Sequence, residues 1–195
     1  MKKEEKLLEI IKQEQSITSK RATELGYPRI YLTLLLNEGK IYKIGRGIYS
    51  IDSNTSIDPL YEFQSHNKKI VYSCFTALYL LGFFSHKPEK LHISVPQGYN
   101  ASRYTNCEVF YNNENNYSVG TTYLNLNNNK IVVYNLERSI CDIIKEHNRF
   151  DKRLYNKLIN YYFSMDNINY SKLLEYSKLL KISNKVQEYL SLFKA

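Results

Sequence analysis

Apolar positions recur with a helical period at the start of the chain. Leu7, Leu8, Ile10 and Ile11 make one stripe among lysines and glutamates, which predicts a helix over 2–14. Gln15 and Ser16 break the pattern, Ile17 points inward, and Thr18 or Ser16 can cap the next helix. That short second helix is expected over 18–25, with Ala22 and Leu25 buried and Gly26 ending it. A third begins near Pro28, a residue that suits a first helical turn. Its Leu32, Leu35 and Leu36 share one face, Arg29, Thr33 and Asn37 turn the other way, and Gly39 closes it. The period then changes. Ile41 and Ile44 read as a short strand, Gly45-Arg46-Gly47 as a tight turn, and Ile48, Tyr49 and Ile51 as the return strand.

Three short helices followed by a hairpin within residues 1–52 predict a winged helix-turn-helix. The third helix can enter a major groove, and an arginine between two glycines can reach a minor groove or a phosphate. Arg29 and Thr33 are the candidate base readers, with Tyr31 beside them. Lys20, Arg21 and Lys43 are candidate phosphate contacts, and Arg46 is the wing residue. The same residues could also serve a solvated helix surface, a polar turn, or a module that docks proteins and not DNA.

Beyond the wing, 53–59 is polar and reads as a linker, and 60–67 as a short helix. Residues 72–82 predict a largely buried helix around Ala77, Leu78, Leu80 and Leu81. Strands are expected at 91–95 and 108–111, and a hairpin from 119–126 and 130–134 turns across Asn127 to Asn129. The asparagine-rich stretch 112–116 reads as a loop or turn. A helix is expected at 137–146, where Arg138 and Asp142 stand four apart and can pair as a structural pin. Three more helices are expected at 150–163, 170–180 and 184–193. The fold class expected is α+β: a winged helix-turn-helix, then residues 60–195 as a mixed α/β domain with a helical C-terminal end.

Charge sharpens this picture. Residues 1–52 carry ten basic and seven acidic side chains, the middle stretch 53–137 six of each, and 138–195 eleven and six. The excess at both ends is compatible with phosphate binding. At the C-terminal end it lies in Arg149, Lys152, Arg153, Lys157, Lys172, Lys178, Lys181 and Lys185. That set is either a solvated helical surface or a basic face for RNA, DNA or an acidic partner. Cys74, Cys107 and Cys141 contain no CxxC and are expected as free thiols of a reducing compartment. His66, His86, His92 and His147 lack metal-ligand spacing, and no GxSxG, P-loop or HExxH occurs. No catalytic residue, metal or cofactor is therefore expected. With no leader or long apolar run, the protein is expected to be cytoplasmic and to have no membrane partner.

The run Thr18-Ser19-Lys20-Arg21-Ala22-Thr23-Glu24-Leu25-Gly26, then Leu32 through Tyr49 with its Gly45-Arg46-Gly47-Ile48-Tyr49 ending, resembles the N-terminal domain of the AbiEi family. These are antitoxins of bacterial type IV toxin–antitoxin systems linked to abortive phage infection. Ala77-Leu78-Tyr79-Leu80-Leu81-Gly82-Phe83 looks like a second family element, and Glu137-Arg138-Ser139-Ile140-Cys141-Asp142 a third, so the resemblance runs to about residue 146. Leu136 departs from the usual proline, and Tyr27-Pro28 from a small polar start to the third helix. The resemblance implies an autorepressor that binds its own double-stranded promoter DNA. It also implies a C-terminal domain that counteracts a nucleotidyltransferase-like toxin without a stable complex, with the C-terminal basic residues as its antitoxic surface. A plain winged-helix regulator with a sensing or partner-binding C-terminal domain is the alternative. No dimerisation element is evident, so a monomer binding paired operator sites cooperatively is expected.

Overall fold

The computed structural model describes residues 2–55, 57–126 and 129–193. Contacts divide the chain into two compact units. One comprises Met1–Lys68 with Asn125–Ile131, the other Lys69–Leu124 with Val132–Ala195.

The first unit opens with α1 (Lys3–Glu14), whose Glu5 carboxylate accepts the Lys2 backbone N–H at 2.9 Å. Then come β1 (Ser16–Thr18), α2 (Ser19–Glu24), α3 (Arg29–Asn37), β2 (Tyr42–Gly45), β3 (Ile48–Ser50) and α4 (Pro59–His66). The α-β-α-α-β-β order is that of a winged helix-turn-helix. Leu7, Ile11, Ile17, Ala22, Leu32, Leu35 and Ile41 form its core.

Three details differ from the sequence expectation. Residues 16–18 form a strand, because pairing with the wing (Ile17 opposite Tyr49) gives this short extended piece its partners and puts Ile17 in the core. The sheet therefore has three strands in the order β1-β3-β2. Gly45 belongs to β2, opposite Ile48, so the wing tip is only Arg46 and Gly47, with Gly47 at φ +67°. Finally, Pro28 precedes α3, extended at ψ 151°, instead of lying within its first turn.

After the wing, Ser50 Oγ donates to the Gln15 carbonyl at 2.9 Å, and the Asp52 carboxylate accepts the Asn54 N–H at 2.8 Å. Ser56, within the expected linker, lies outside the described residues. Asp58 caps α4 by accepting the Leu60 N–H at 2.8 Å. The helix sits close against β2: a Cβ added at Gly45 would meet Glu62 and Ile57 side-chain atoms at 3.0 Å.

A second, mixed sheet has five strands, β6-β5-β4-β8-β7, which belong to the second unit save for residues 125–131. They are β4 (Val71–Tyr72), β5 (Leu91–Pro96), β6 (Cys107–Asn112), β7 (Thr121–Leu126) and β8 (Asn129–Tyr134). β4 runs antiparallel to β5 and parallel to β8, and β5 runs parallel to β6. The expected turn residues Asn127 and Asn128 lie outside the described residues. Helices α5 (Cys74–Leu80), α6 (Glu114–Tyr117), α7 (Leu136–Lys145), α8 (Lys152–Phe163), α9 (Tyr170–Leu179) and α10 (Ser183–Phe193) complete the unit. Tyr72 is in a strand, contrary to the helix expected from 72, since its neighbours in β5 and β8 take its backbone into the sheet. Phe75, Leu78, Ile140, Ile143, Ile144, Leu158, Ile159, Tyr162, Phe163 and Leu173 are among the residues of one core under α5 and α7–α9. Among the described residues no helix is long and apolar enough to cross a membrane.

Arg138 is fully buried in this unit. Its Nε donates to both Asp142 oxygens (3.1 and 3.2 Å), one terminal nitrogen to the Asn116 and Val119 carbonyls (2.6 and 2.7 Å), and the other to Asn112 Oδ1 (3.2 Å). The guanidinium also lies 4.3 Å from the centre of the Tyr134 ring. Burial pushes the Asp142 carboxyl up, and Arg138 pulls it back down. Asn112 departs from the loop or turn expected over 112–116, because β6 and this guanidinium take it inward. Asn112 is a buried strand residue that also donates to Ser94 Oγ at 3.3 Å, and 114–117 form a helical turn.

Candidate nucleic-acid interface

The second helix and the wing are fixed to each other by hydrogen bonds. Thr18 Oγ1 caps α2 by accepting the Arg21 N–H at 3.0 Å. The wing tip is held to the same helix end. The Gly47 carbonyl accepts both the Ser19 N–H (2.8 Å) and the Ser19 hydroxyl (3.3 Å). Arg46, adjacent to this clamp, is exposed.

Between these elements lies a cleft of about 390 Å³. Its walls carry Lys20 from α2, Arg29 from the start of α3, Lys43 from β2 and Arg46 from the wing tip, with Ser19 and Tyr49 between them. Four cations thus face one concavity, and none of the residues lining it is acidic. Such a cleft attracts a polyanion along its length. Lys20 does contact Glu24 at 3.6 Å, and Lys68 contacts the same carboxylate at 3.5 Å. The Lys20–Glu24 pair is largely exposed, so it holds Lys20 weakly.

Arg21, Tyr31 and Thr33 stand outside this cleft. Arg21 pairs with Glu14 at 3.2 Å and lines a different hollow. Tyr31 is half-buried and meets Tyr27 edge to face at 6.4 Å. Thr33 is exposed on α3, its hydroxyl donating back to the Arg29 carbonyl at 3.3 Å. Ser65 and His66, from the end of α4, line the cleft although sequence reasoning passed them over. Nothing in their local pattern marks them, because they reach the wing only through the packing of α4 beside Gly45.

The C-terminal basic residues are distributed over α8, α9, α10 and the turns beside them. Arg149 is engaged within its unit. It donates to the Val109 carbonyl and the Glu108 carboxylate, both at 3.1 Å, and stacks 4.0 Å from the Phe110 ring centre. Lys152, Arg153, Lys157, Lys172, Lys178 and Lys181 are exposed, and Lys185 is half-buried.

Two of the three thiols and one imidazole are in unreactive settings. Burial raises the Cys74 and Cys141 thiols far above their ordinary value, which keeps them protonated. His92 is buried against Phe75, Phe110 and Phe150, and burial lowers its imidazole to about 4. No group of three or more His, Cys, Asp or Glu that could hold a metal ion occurs among the described residues.

No curated protein matches the chain. Residues 5–51, which span most of the winged helix and all four cleft cations, match the family model described as "Transcriptional regulator, AbiEi antitoxin".

Proposed function

We propose that this protein is a transcriptional regulator that binds double-stranded promoter DNA through its winged helix, and that its second unit senses a ligand or partner. The convergence of Lys20, Arg29, Lys43 and Arg46 on one cleft carries this reading. In it, the start of α3 enters the major groove while Lys20 and Lys43 hold phosphates and Arg46 reaches the adjoining backbone or minor groove. Arg21 and Thr33 are peripheral contacts, and Tyr31 braces α3. Two monomers occupy paired half-sites.

Titration of a labelled duplex from the region upstream of its own gene, over a range of salt concentrations, tests this. Binding should weaken steeply with salt. Arg29→Ala should weaken it and relax the base preference, and Arg46→Ala should weaken it and flatten the salt slope by about one. No retention at low salt, or unchanged binding by both variants, would refute the proposal.

A second, finer reading is that the second unit neutralises a nucleotidyltransferase-like toxin. The family description, which names an antitoxin, favours it. The exposed lysines and arginine of α8 and α9 are then the candidate antitoxic surface, acting without a lasting complex. Co-expression with the neighbouring gene decides the matter. Growth arrest by that gene alone, relieved by the full-length protein, supports the reading, and failure of the folded protein to relieve it counts against it.

A further inference from the structure

The open face of α3 carries an apolar strip beside the cleft. Leu32 and Leu35 fix the buried side of the helix. At 3.6 residues per turn, Arg29, Thr33, Asn37, Ile30 and Leu34 then succeed one another around the opposite side. Ile30 is 57% exposed and Leu34 37% exposed. They stand four apart, so their side chains adjoin along the helix. Neither is needed by the core, and a polar residue at either place would keep the helix and remove the exposed hydrocarbon.

We infer that Ile30 and Leu34 read thymine methyl groups, and that the DNA this protein prefers places T·A pairs beneath α3, next to the base pair met by Arg29. This rests on the reading of the protein as a DNA-binding regulator. Ile30 lies in the first turn of α3, the part of a recognition helix that meets base edges. The thymine C5-methyl is the one apolar group on the major-groove floor, so hydrocarbon side chains there select for it. Charge decides the occupant. Arg29 belongs both to this face and to the cleft that gathers Lys20, Lys43 and Arg46. A nucleic acid satisfies the cations and the strip together. A second copy of this chain, seated on the strip by a two-fold axis, would bring the same four cations towards their own counterparts.

The full-length protein is used to select short duplexes from a randomised pool. The preferred duplex is then remade with deoxyuridine in place of each thymidine in turn. Deoxyuridine keeps the pairing edge and lacks only the methyl. Affinity should fall about fourfold at one or two positions per half-site, the effect of withdrawing one buried methyl-sized group. The double variant Ile30→Ser, Leu34→Ser should bind the thymidine and deoxyuridine duplexes alike. Both replaced residues are exposed, so the variant should keep the wild-type melting curve.

Unchanged affinity at every deoxyuridine position would overturn the inference, as would discrimination that survives in the double variant. So would a wild-type dimer in sedimentation that the double variant dissolves, since a second copy would then be what covers the strip. Failure of the wild-type protein to retain any duplex at low salt is a different result, and it would overturn the DNA-binding reading as well.

Discussion

Replacing Arg138 by methionine keeps much of the side-chain volume and removes every donor of the guanidinium. The Asp142 carboxylate, also buried, then loses both bonds from Nε, and the Asn116 and Val119 carbonyls lose their partner. Breaking a buried ion pair from one side costs about 3–5 kcal/mol, because an uncompensated charge stays behind. Each carbonyl adds about 1 kcal/mol or more unless water replaces the donor. A total of about 5–7 kcal/mol compares with a whole-domain stability of about 5–15 kcal/mol. Urea unfolding followed by circular dichroism should show the midpoint of the second unit falling sharply. The informative control is Arg138→Met combined with Asp142→Asn, which removes the stranded charge. It should recover about 1–3 kcal/mol of the loss. A loss below about 1 kcal/mol for the single variant, or a double variant less stable than it, would show that the pair does not hold the unit in this way.

Other outcomes rest on single contacts. Gly120→Ala puts a Cβ 2.7 Å from Arg138 Cβ at a residue with φ +79°, and thermal unfolding should show a loss of about 2 kcal/mol or more. His92 titrates near 4 when folded against 6.5 when unfolded, so its contribution is present above pH 6.5 and is lost as pH falls towards 4. The loss amounts to about 3 kcal/mol at most, and stability measured across that range should flatten in His92→Phe. Thr18→Ala removes the cap of α2, and calorimetry should register a loss of about 1 kcal/mol.

The winged helix is legible in the sequence because its apolar positions change period where the structure changes element. Leu7 and Ile11, then Leu32 and Leu35, mark helices, and Ile48 marks the return strand. β1 is hidden because three residues with one apolar side chain carry no period, and its strand character comes from pairing with β3. The start of α5 is obscured for a related reason. Residues 70–78 are buried without interruption, so sequence shows a continuous run where the chain passes from strand to helix. The spacing of Arg138 and Asp142 announces their pair. It cannot announce that the guanidinium also collects Asn112, Asn116 and Val119 from 19 to 26 residues earlier, which draws an asparagine into the core. In the interface the same division holds. Lys20, Arg29, Lys43 and Arg46 are marked by the elements that carry them, whereas His66 arrives by packing and Arg21 is turned aside towards Glu14.

The bonds from Ser19 to the Gly47 carbonyl have a thermodynamic consequence. A loop tip that is ordered only when its target arrives surrenders about 1–2 kcal/mol of backbone entropy per residue at that moment. Here the surrender takes place during folding, and Arg46 waits with its main chain already set. At the wing tip, association then adds no backbone ordering beyond the immobilisation of a side chain, and the saving lengthens residence time.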